Sequence, residues 1–343
     1  MPLRPAGLLK FLLGLSLLLK SLQAQDRQNL PQRSSDWPIR QVALPADRSY
    51  RIDADLPQGD QLRDTLDEFR EPAKSTTQRP PRRYFAPRFD FSAEWEPATD
   101  GIAVSSLDGS VQQGLPPFFG PPPPLLNAGY SITILDTPAS FDLPSQLQEF
   151  SAGASWMRRI NDHWMARFMI SGAFASDLEN TGRDAWQIRG GAFALYRPND
   201  EWSWAMGALV TGRDDLPVLP AVGAIWQPMH RFKANLMMPT PRLSVLMRES
   251  ADRQHWAYVG AALTGGTWAV STATRDDRLT YREWRGVLGW EVVPPQAPGT
   301  FVPTGTTWNS EIGIAFGRSF EFDRNDRTID LSSAFLLRTG VRF

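Results

Sequence analysis

Apolar and polar positions alternate between Leu331 and Phe343. The odd positions read Leu331, Ser333, Phe335, Leu337, Thr339, Val341 and Phe343; the even ones read Ser332, Ala334, Leu336, Arg338, Gly340 and Arg342. A period of two with one greasy and one small or cationic face is the pattern of a strand between two different environments. The alternation recurs upstream. From His163 to Phe174, Trp164, Ala166, Phe168, Ile170 and Phe174 oppose His163, Met165, Arg167, Met169 and Ser171. Further runs carry Trp202, Trp204, Met206 and Val210, then Phe232, Leu236 and Met238, then Trp284, Leu288 and Trp290, then Trp308, Ile312, Ile314 and Phe316. Alternating segments of about ten residues divided by turns predict an all-β protein, a transmembrane antiparallel up-and-down β-barrel of about 12–14 strands over residues 83–343.

Turn chemistry divides the runs. Asn161-Asp162, Arg197-Pro198-Asn199-Asp200, Gln227-Pro228, Glu249 to Arg253, Arg275-Asp276-Asp277 and Asp323 to Arg327 carry the residues that stop strands and adopt turn conformations. Thr264-Gly265-Gly266-Thr267 reads as a tight turn as well. Gly114 to Pro124 and Pro294 to Pro303 are proline-rich and read as loops, since neither fits a strand interior. Fourteen strands counted this way put the Asn161, Pro198 and Pro228 turns at the opposite end of the barrel from Phe343.

The front of the chain differs. Arg4 and Lys10 precede the apolar run Phe11 to Leu19, and Leu22-Gln23-Ala24 follows, so residues 1–24 read as a cleaved signal peptide. The run is too short for a spanning helix, which needs about 20 residues. Residues 25–82 are polar and proline-bearing and read as a mostly disordered periplasmic leader. Within it, Leu62, Leu66 and Phe69 share one face of a short helix over 59–70, either a surface helix or a plug or docking element. The chain has no cysteine, so export imposes no disulfides, and a lipid-modified cysteine, thiol nucleophile or cysteine metal site is excluded. Lys+Arg 36 against Asp+Glu 37 gives no charge excess for nucleic acid.

Tryptophan refines the picture. Trp156, Trp164, Trp202, Trp226, Trp256, Trp284 and Trp308 sit at strand ends beside turns. Indole prefers the headgroup boundary of a bilayer, so these residues read as an interfacial aromatic belt. A soluble sandwich would set such rings in mid-strand. Phe335, Leu337, Val341 and Phe343 resemble the closing-strand signal read by the barrel-insertion machinery of outer membranes. The expected location is the outer membrane of a Gram-negative-type bacterium, with its lipid as partner.

The stretch Leu219-Pro220-Ala221-Val222-Gly223-Ala224-Ile225-Trp226-Gln227-Pro228, followed by Met238-Pro239-Thr240-Pro241-Arg242-Leu243-Ser244, resembles a family of outer-membrane β-barrel proteins known as a domain of unknown function. The resemblance covers about 125–343, with Trp226, Pro228, Pro239, Pro241 and the Ala251-Asp252-Arg253 turn in the family's pattern. It implies a fold and a location, and no activity.

Chemistry is sparse. His163, His230 and His255 sit at strand edges and read as rim residues; a lipid hydrolase would need one of them beside a serine, and Ser244 and Ser271 are unspecific candidates. Asp214-Asp215 and Asp276-Asp277 fit no calcium-loop spacing. No enzyme activity, catalytic residue, cofactor or metal is expected. If the apolar faces meet lipid, Arg167, Arg189, Lys233, Glu283, Arg285, Glu311, Arg338 and Arg342 point into the lumen. Inward Gly191, Ala205, Gly207, Gly313 and Gly317 would leave room beside them. The expectation is a narrow porin-like channel for small polar solutes or ions, or a structural barrel. The alternative is a closed barrel that binds through its loops, above all Gly114 to Pro124. Solute and oligomeric state are not legible.

Overall fold

The computed structural model describes residues 86–116, 123–199, 201–213, 215–272, 275–295, 305–324 and 327–343. The expected signal peptide, the leader and its helix over 59–70 lie outside the described residues. Among these residues no helix is long and apolar enough to cross a membrane.

The strands are β1 (Arg88–Thr99), β2 (Ile102–Gly114), β3 (Leu125–Asp136), β4 (Gln146–Arg159), β5 (Trp164–Ser176), β6 (Trp186–Tyr196), β7 (Trp202–Val210), β8 (Val218–Met229), β9 (Phe232–Asn235), β10 (Arg242–Glu249), β11 (Gln254–Ser271), β12 (Asp276–Val293), β13 (Thr307–Phe322), β14 (Arg327–Leu331) and β15 (Ala334–Arg342). Each pairs antiparallel with its sequence neighbour from β1 to β13. β14 and β15 share one place in the wall: Arg318 to Phe322 of β13 pair with β14, and Thr307 to Ala315 pair with β15. β15 then pairs with β1, with Asp90 opposite Arg342 and Trp95 opposite Leu337. The ladder therefore closes into a 14-strand antiparallel barrel. Closure gives β1 to β13 and β15 a partner on each side, as an apolar surround demands, while β14 pairs with β13 alone.

Outward positions are apolar and exposed. Phe168, Ile170, Ile188, Val222, Leu288, Ile312 and Ile314 all face out of the wall. Along β13 this band runs from Trp308 to Phe316. Nine residues of a strand tilted by about 40° rise roughly 20–25 Å, the height of a lipid-facing band. Beyond Trp284 and Phe316 the outward positions turn polar, at Arg282, Arg278 and Asp276 on β12 and Ser319 and Glu321 on β13. These two strands and β11 stand proud of the band.

The turns correct the sequence reading of sidedness. Asp100 and Gly101, with φ of 53° and 86°, make a two-residue hairpin that divides Arg88–Gly114 into β1 and β2. Thr264-Gly265-Gly266-Thr267 is no turn; it runs through the middle of β11, with Gly265 opposite Arg282. A side chain at Gly265 would overlap the Tyr281 carbonyl, so glycine serves a close backbone approach there. One strand fewer after Asn161 brings the Asn161 and Pro198 turns to the same end as Phe343. Pro228 itself belongs to β8, beside a register shift between Trp226 and Met229, and the turn is His230-Arg231. The other end carries Asp100.

At the Asp100 end β5 and β11 meet directly. Ser176 pairs with Ala269 in parallel. Asp177 N–H donates to the Ala269 carbonyl at 3.1 Å, and its carboxylate accepts the Ser271 N–H at 2.7 Å. Asn180 Nδ2 donates to the Val270 carbonyl, and Gln187 Nε2 to that of Thr267. The five strands between, β6 to β10, do not reach this level, so the bore narrows here.

The last strand is also broken. Ser332-Ser333 interrupts it, and the Asp100 carboxylate accepts the Ser332 N–H at 2.6 Å. That backbone bond is the chief cause holding the Asp100 carboxyl below its ordinary value of 3.8. A depressed folded-state pKa contributes stability at higher pH and loses it as pH falls through that value. The thermal midpoint of the barrel in detergent should therefore drop below about pH 4. Asp100→Asn, which keeps the acceptor without the charge, should show a smaller drop; an unchanged pH profile would remove Asp100 from the account.

Candidate functional site

Inward positions of the barrel hold the chemistry. Of the eight residues expected to face the lumen, Arg167, Arg189, Lys233, Glu283, Arg285, Glu311 and Arg338 are buried on the inward face, and Arg342 is half-buried at the mouth. They form several groups. Arg189 on β6 grips Glu149 on β4 with two bonds of 2.7 and 2.9 Å. Arg342 Nε donates to Asp90 at 2.8 Å across the β15–β1 seam. Tyr258 donates its hydroxyl to Glu311. Arg242 lies 3.3 Å over the Tyr258 ring and pairs with Glu291.

The densest group lies on β1, β12 and β13. Arg285 donates to Glu94 at 2.7 Å and to Glu283. Arg318 sits 2.7 Å from Glu96, and its Nε donates to the Tyr281 hydroxyl at 3.0 Å. That hydroxyl donates to Glu283 at 2.6 Å, and Thr264 adds a bond of 3.0 Å to the same carboxylate. Carboxylate oxygens of Glu94, Glu96 and Glu283 lie within 4.8 Å of one another, a spacing that suits a cation. Arg285 and Arg318 already supply positive charge among them. The arrangement is an internally compensated ion network.

Sequence reading missed Glu94, Glu96, Glu149 and Arg318. The first two were legible: Phe89, Phe91 and Trp95 point outward, so Asp90, Ser92, Glu94 and Glu96 had to point inward. Arg318 was hidden by a bulge. Even positions of β13 face out at Ile312, Ile314 and Phe316; the register then shifts at Gly317 (φ 59°), and even positions Arg318, Phe320 and Phe322 face in. The break at Ser332-Ser333 inverts Leu331 likewise. Leu331 is buried, whereas Phe335, Leu337 and Phe343 are exposed on the outer face, as an alternating closing strand requires.

Two other expectations are corrected. Trp256 is 1% exposed and faces the bore, donating its Nε1 to Gln254, so it is no part of an outer belt. The remaining belt tryptophans lie on the outer face, near strand ends except for Trp284, which stands in the middle of β12. Trp202 stacks on Trp226 at 5.6 Å, Trp164 meets Tyr196 and Trp156 meets Phe168, all toward the Phe343 end, and Trp284 marks the other edge. The small inward residues do not leave room either. Phe193 and Leu209 fill the space beside Gly191 and Gly207, Val287 fills that beside Gly313, and Gly317 belongs to the bulge. Gly289 plays the same part for the Tyr258 ring.

Apolar side chains fill the rest. At the Asp100 end a buried cluster joins Ile102, Leu135, Leu147, Trp268, Leu279 and Phe320, with others, from β2, β3, β4, β11, β12 and β13. A second cluster gathers Met165, Phe193, Leu195, Leu209, Ile225 and Met237 between β5 and β9. The histidines stay at the rim: His163 bonds the Arg197 carbonyl, His230 lies 2.8 Å from Glu249, and His255 rests against Trp290.

Fold and interior define a transmembrane-type β-barrel with an apolar exterior and a packed bore. The chain belongs to the family described as a domain of unknown function, DUF6268, which matches residues 127–326. Among solved structures it is similar to the β domain of the Bordetella autotransporter Brka, at 13% identity over 76% of this chain and 99% of that one, with a TM-score of 0.30. It is also similar to the Pseudomonas putida toluene transporter TodX, at 11% identity over 75% and 88% of the two chains, with a TM-score of 0.25. No curated protein sequence matches it.

Removing one partner of a buried ion pair strands the other, at a cost of about 3–5 kcal/mol. Arg318→Met should lower the unfolding free energy in urea by that order, and adding Glu96→Gln should recover part of it. A double-variant loss equal to the sum of the Arg318→Met and Glu96→Gln losses would show that the pair is not coupled.

Proposed function

We propose that this protein is an outer-membrane barrel whose bore is sealed, serving a structural or binding role through its ends rather than as a diffusion pore or an enzyme. The observation that carries this reading is the apolar cluster at the Asp100 end. It draws side chains from β2 to β5 and from β11 to β14, across the full width left once β5 and β11 have met. An ion entering such a layer would shed its water with no polar group to replace it, at a cost of many kcal/mol. The alternating lumen charges that favour a narrow channel are engaged with one another, Arg189 with Glu149 and Arg285 with Glu94. Outer-membrane residence rests on the exposed apolar band and its aromatic edges, which suit lipid as the barrel's surround. Export by a cleaved signal peptide and handling by the barrel-insertion machinery complete the reading.

This reading also bears on binding surfaces. The Gly114–Pro124 loop joins β2 to β3 at the Phe343 end, beside the shortest turns. The Asp100 end instead presents the polar extensions of β11, β12 and β13.

The test is conductance in a planar bilayer, with refolded protein whose gel mobility changes on boiling. Wild type should insert without discrete current steps. Leu279→Ala combined with Phe320→Ala, which hollows the apolar layer, should raise conductance or leak. Steady unitary steps from wild type would overturn the sealed-bore reading and restore the channel.

A further inference from the structure

Filling of the bore is uneven around the wall. On β10 to β13 the inward side chains are buried, as at Arg242, Ser244, Gln254, Asn309 and Glu311. On β2 to β5 a polar set is only half-buried: Gln112 on β2, Asn127 and Ser131 on β3, Ser151 on β4 and Ser171 on β5. Each has the inward parity of its strand, since Leu107, Tyr130, Phe150 and Ile170 are exposed on the outer face. Register makes them neighbours. Gln112 lies opposite Asn127, Asn127 opposite Gly153 and Gly153 opposite Ser171, and Ser131 and Ser151 stand further along the inward faces of β3 and β4. The set continues to the mouth at the Phe343 end. Asp90, which lines a small cleft there between β1, β13 and β15, lies opposite Ser110, the inward residue next to Gln112 on β2.

Gln112, Asn127, Ser131, Ser151 and Ser171 make no side-chain hydrogen bond among the described residues. A half-buried amide or hydroxyl without a protein partner is bonded to water, so this sector of the bore is wet. The charges around it are engaged. Ser92 donates to Asp108 at 2.9 Å, Arg189 holds Glu149, Arg342 holds Asp90, and Arg167 is buried with an interaction of its own. We infer that β2 to β5 line a water-filled vestibule, entered from the Phe343 end, that receives an uncharged, hydroxyl-rich solute of sugar type. Amides and hydroxyls donate and accept, as the solute's own hydroxyls do, so each bond to water is exchanged for one to the ligand. An ion would meet dipoles here but no available countercharge. Tyr130, Phe150 and Trp156 of the same strands point outward, so hydrogen bonds alone hold the solute and it exchanges fast. Only the vestibule's blind end, beneath Leu135 and Leu147 of the apolar layer, rests on the sealed-bore reading.

The cysteine-free sequence makes the test direct. Full-length protein receives one cysteine at a time: Ser131→Cys, Ser151→Cys or Ser171→Cys in the vestibule, Ala315→Cys on the packed face of β13, or Asp323→Cys in an exposed turn. Folded protein in detergent, recognised by its boiling-dependent gel mobility, is treated with a small water-soluble methanethiosulfonate. The vestibule cysteines should react within an order of magnitude of the rate at Asp323→Cys, and far faster than Ala315→Cys. Glucose should slow the vestibule cysteines severalfold and leave Asp323→Cys unchanged, while potassium glutamate at the same osmolality should give no protection. Vestibule cysteines as slow as Ala315→Cys would show a packed sector and overturn the proposal. Labelling that glucose leaves unchanged, or that glutamate slows equally, would overturn it too. Protection by glucose does not depend on the seal, so a conducting wild type would refute the sealed bore and leave this site standing.

Discussion

The backbone ladder closes on itself, and the rest of the structure follows from that. In hydrocarbon no water is available for an orphaned N–H or carbonyl, so a sheet can persist there only by closing on itself. Closure is made where β13 divides its partners, taking β12 on one side and β14 with β15 on the other, and where β15 meets β1. Once closed, every strand has one face toward lipid and one toward the bore. The period-two pattern of the chain is the chemical record of that division.

What fills the inward face is a compromise between layers. A wall of this many strands encloses more volume than one ring of side chains can occupy, and an unfilled space forfeits packing contacts. The chain answers in three ways. Large rings lie down on glycines of the neighbouring strand, as Tyr258 does on Gly289 and Phe193 does on Gly207. Charged groups reach past the adjacent strand to the next one, as Arg189 does to Glu149 and Arg242 does to Glu291. At the Asp100 end β5 and β11 bond to each other, and a buried apolar cluster gathers side chains from the strands around them. Each device depends on closure: without a fixed register, neither ring and glycine nor Arg and Glu would face each other.

Much of this was legible in the chain. Trp164, Phe168 and Ile170 against Met165 and Arg167 announce a strand with a lipid face, and Glu94 and Glu96 can be placed by the same rule. The bore was less legible, for identifiable physical reasons. Bulges and breaks reverse parity, so Arg318 and Leu331 lie on the face opposite to the one simple alternation assigns. Glycine has two uses in strands: Gly101 makes a hairpin, while Gly265 permits a close backbone contact inside β11, and composition alone does not separate them. Inward glycine was read as vacancy, whereas it is a seat for a ring contributed by a residue distant in sequence. Trp256 stands beside a turn as the belt tryptophans do, and only its parity relative to Tyr258 places it inside.

The central claim is that one strand face meets lipid while the other is packed against protein. Spin labels placed one at a time from Trp308 to Phe316 of the cysteine-free chain, in liposomes, measure this position by position. Access to oxygen reports lipid, and access to a water-soluble nickel chelate reports an aqueous lumen. The account predicts high oxygen access at Ile312 and Ile314 and little access to either probe at Glu311 and Ala315. High nickel access at the odd positions would mean a water-filled bore and would contradict it.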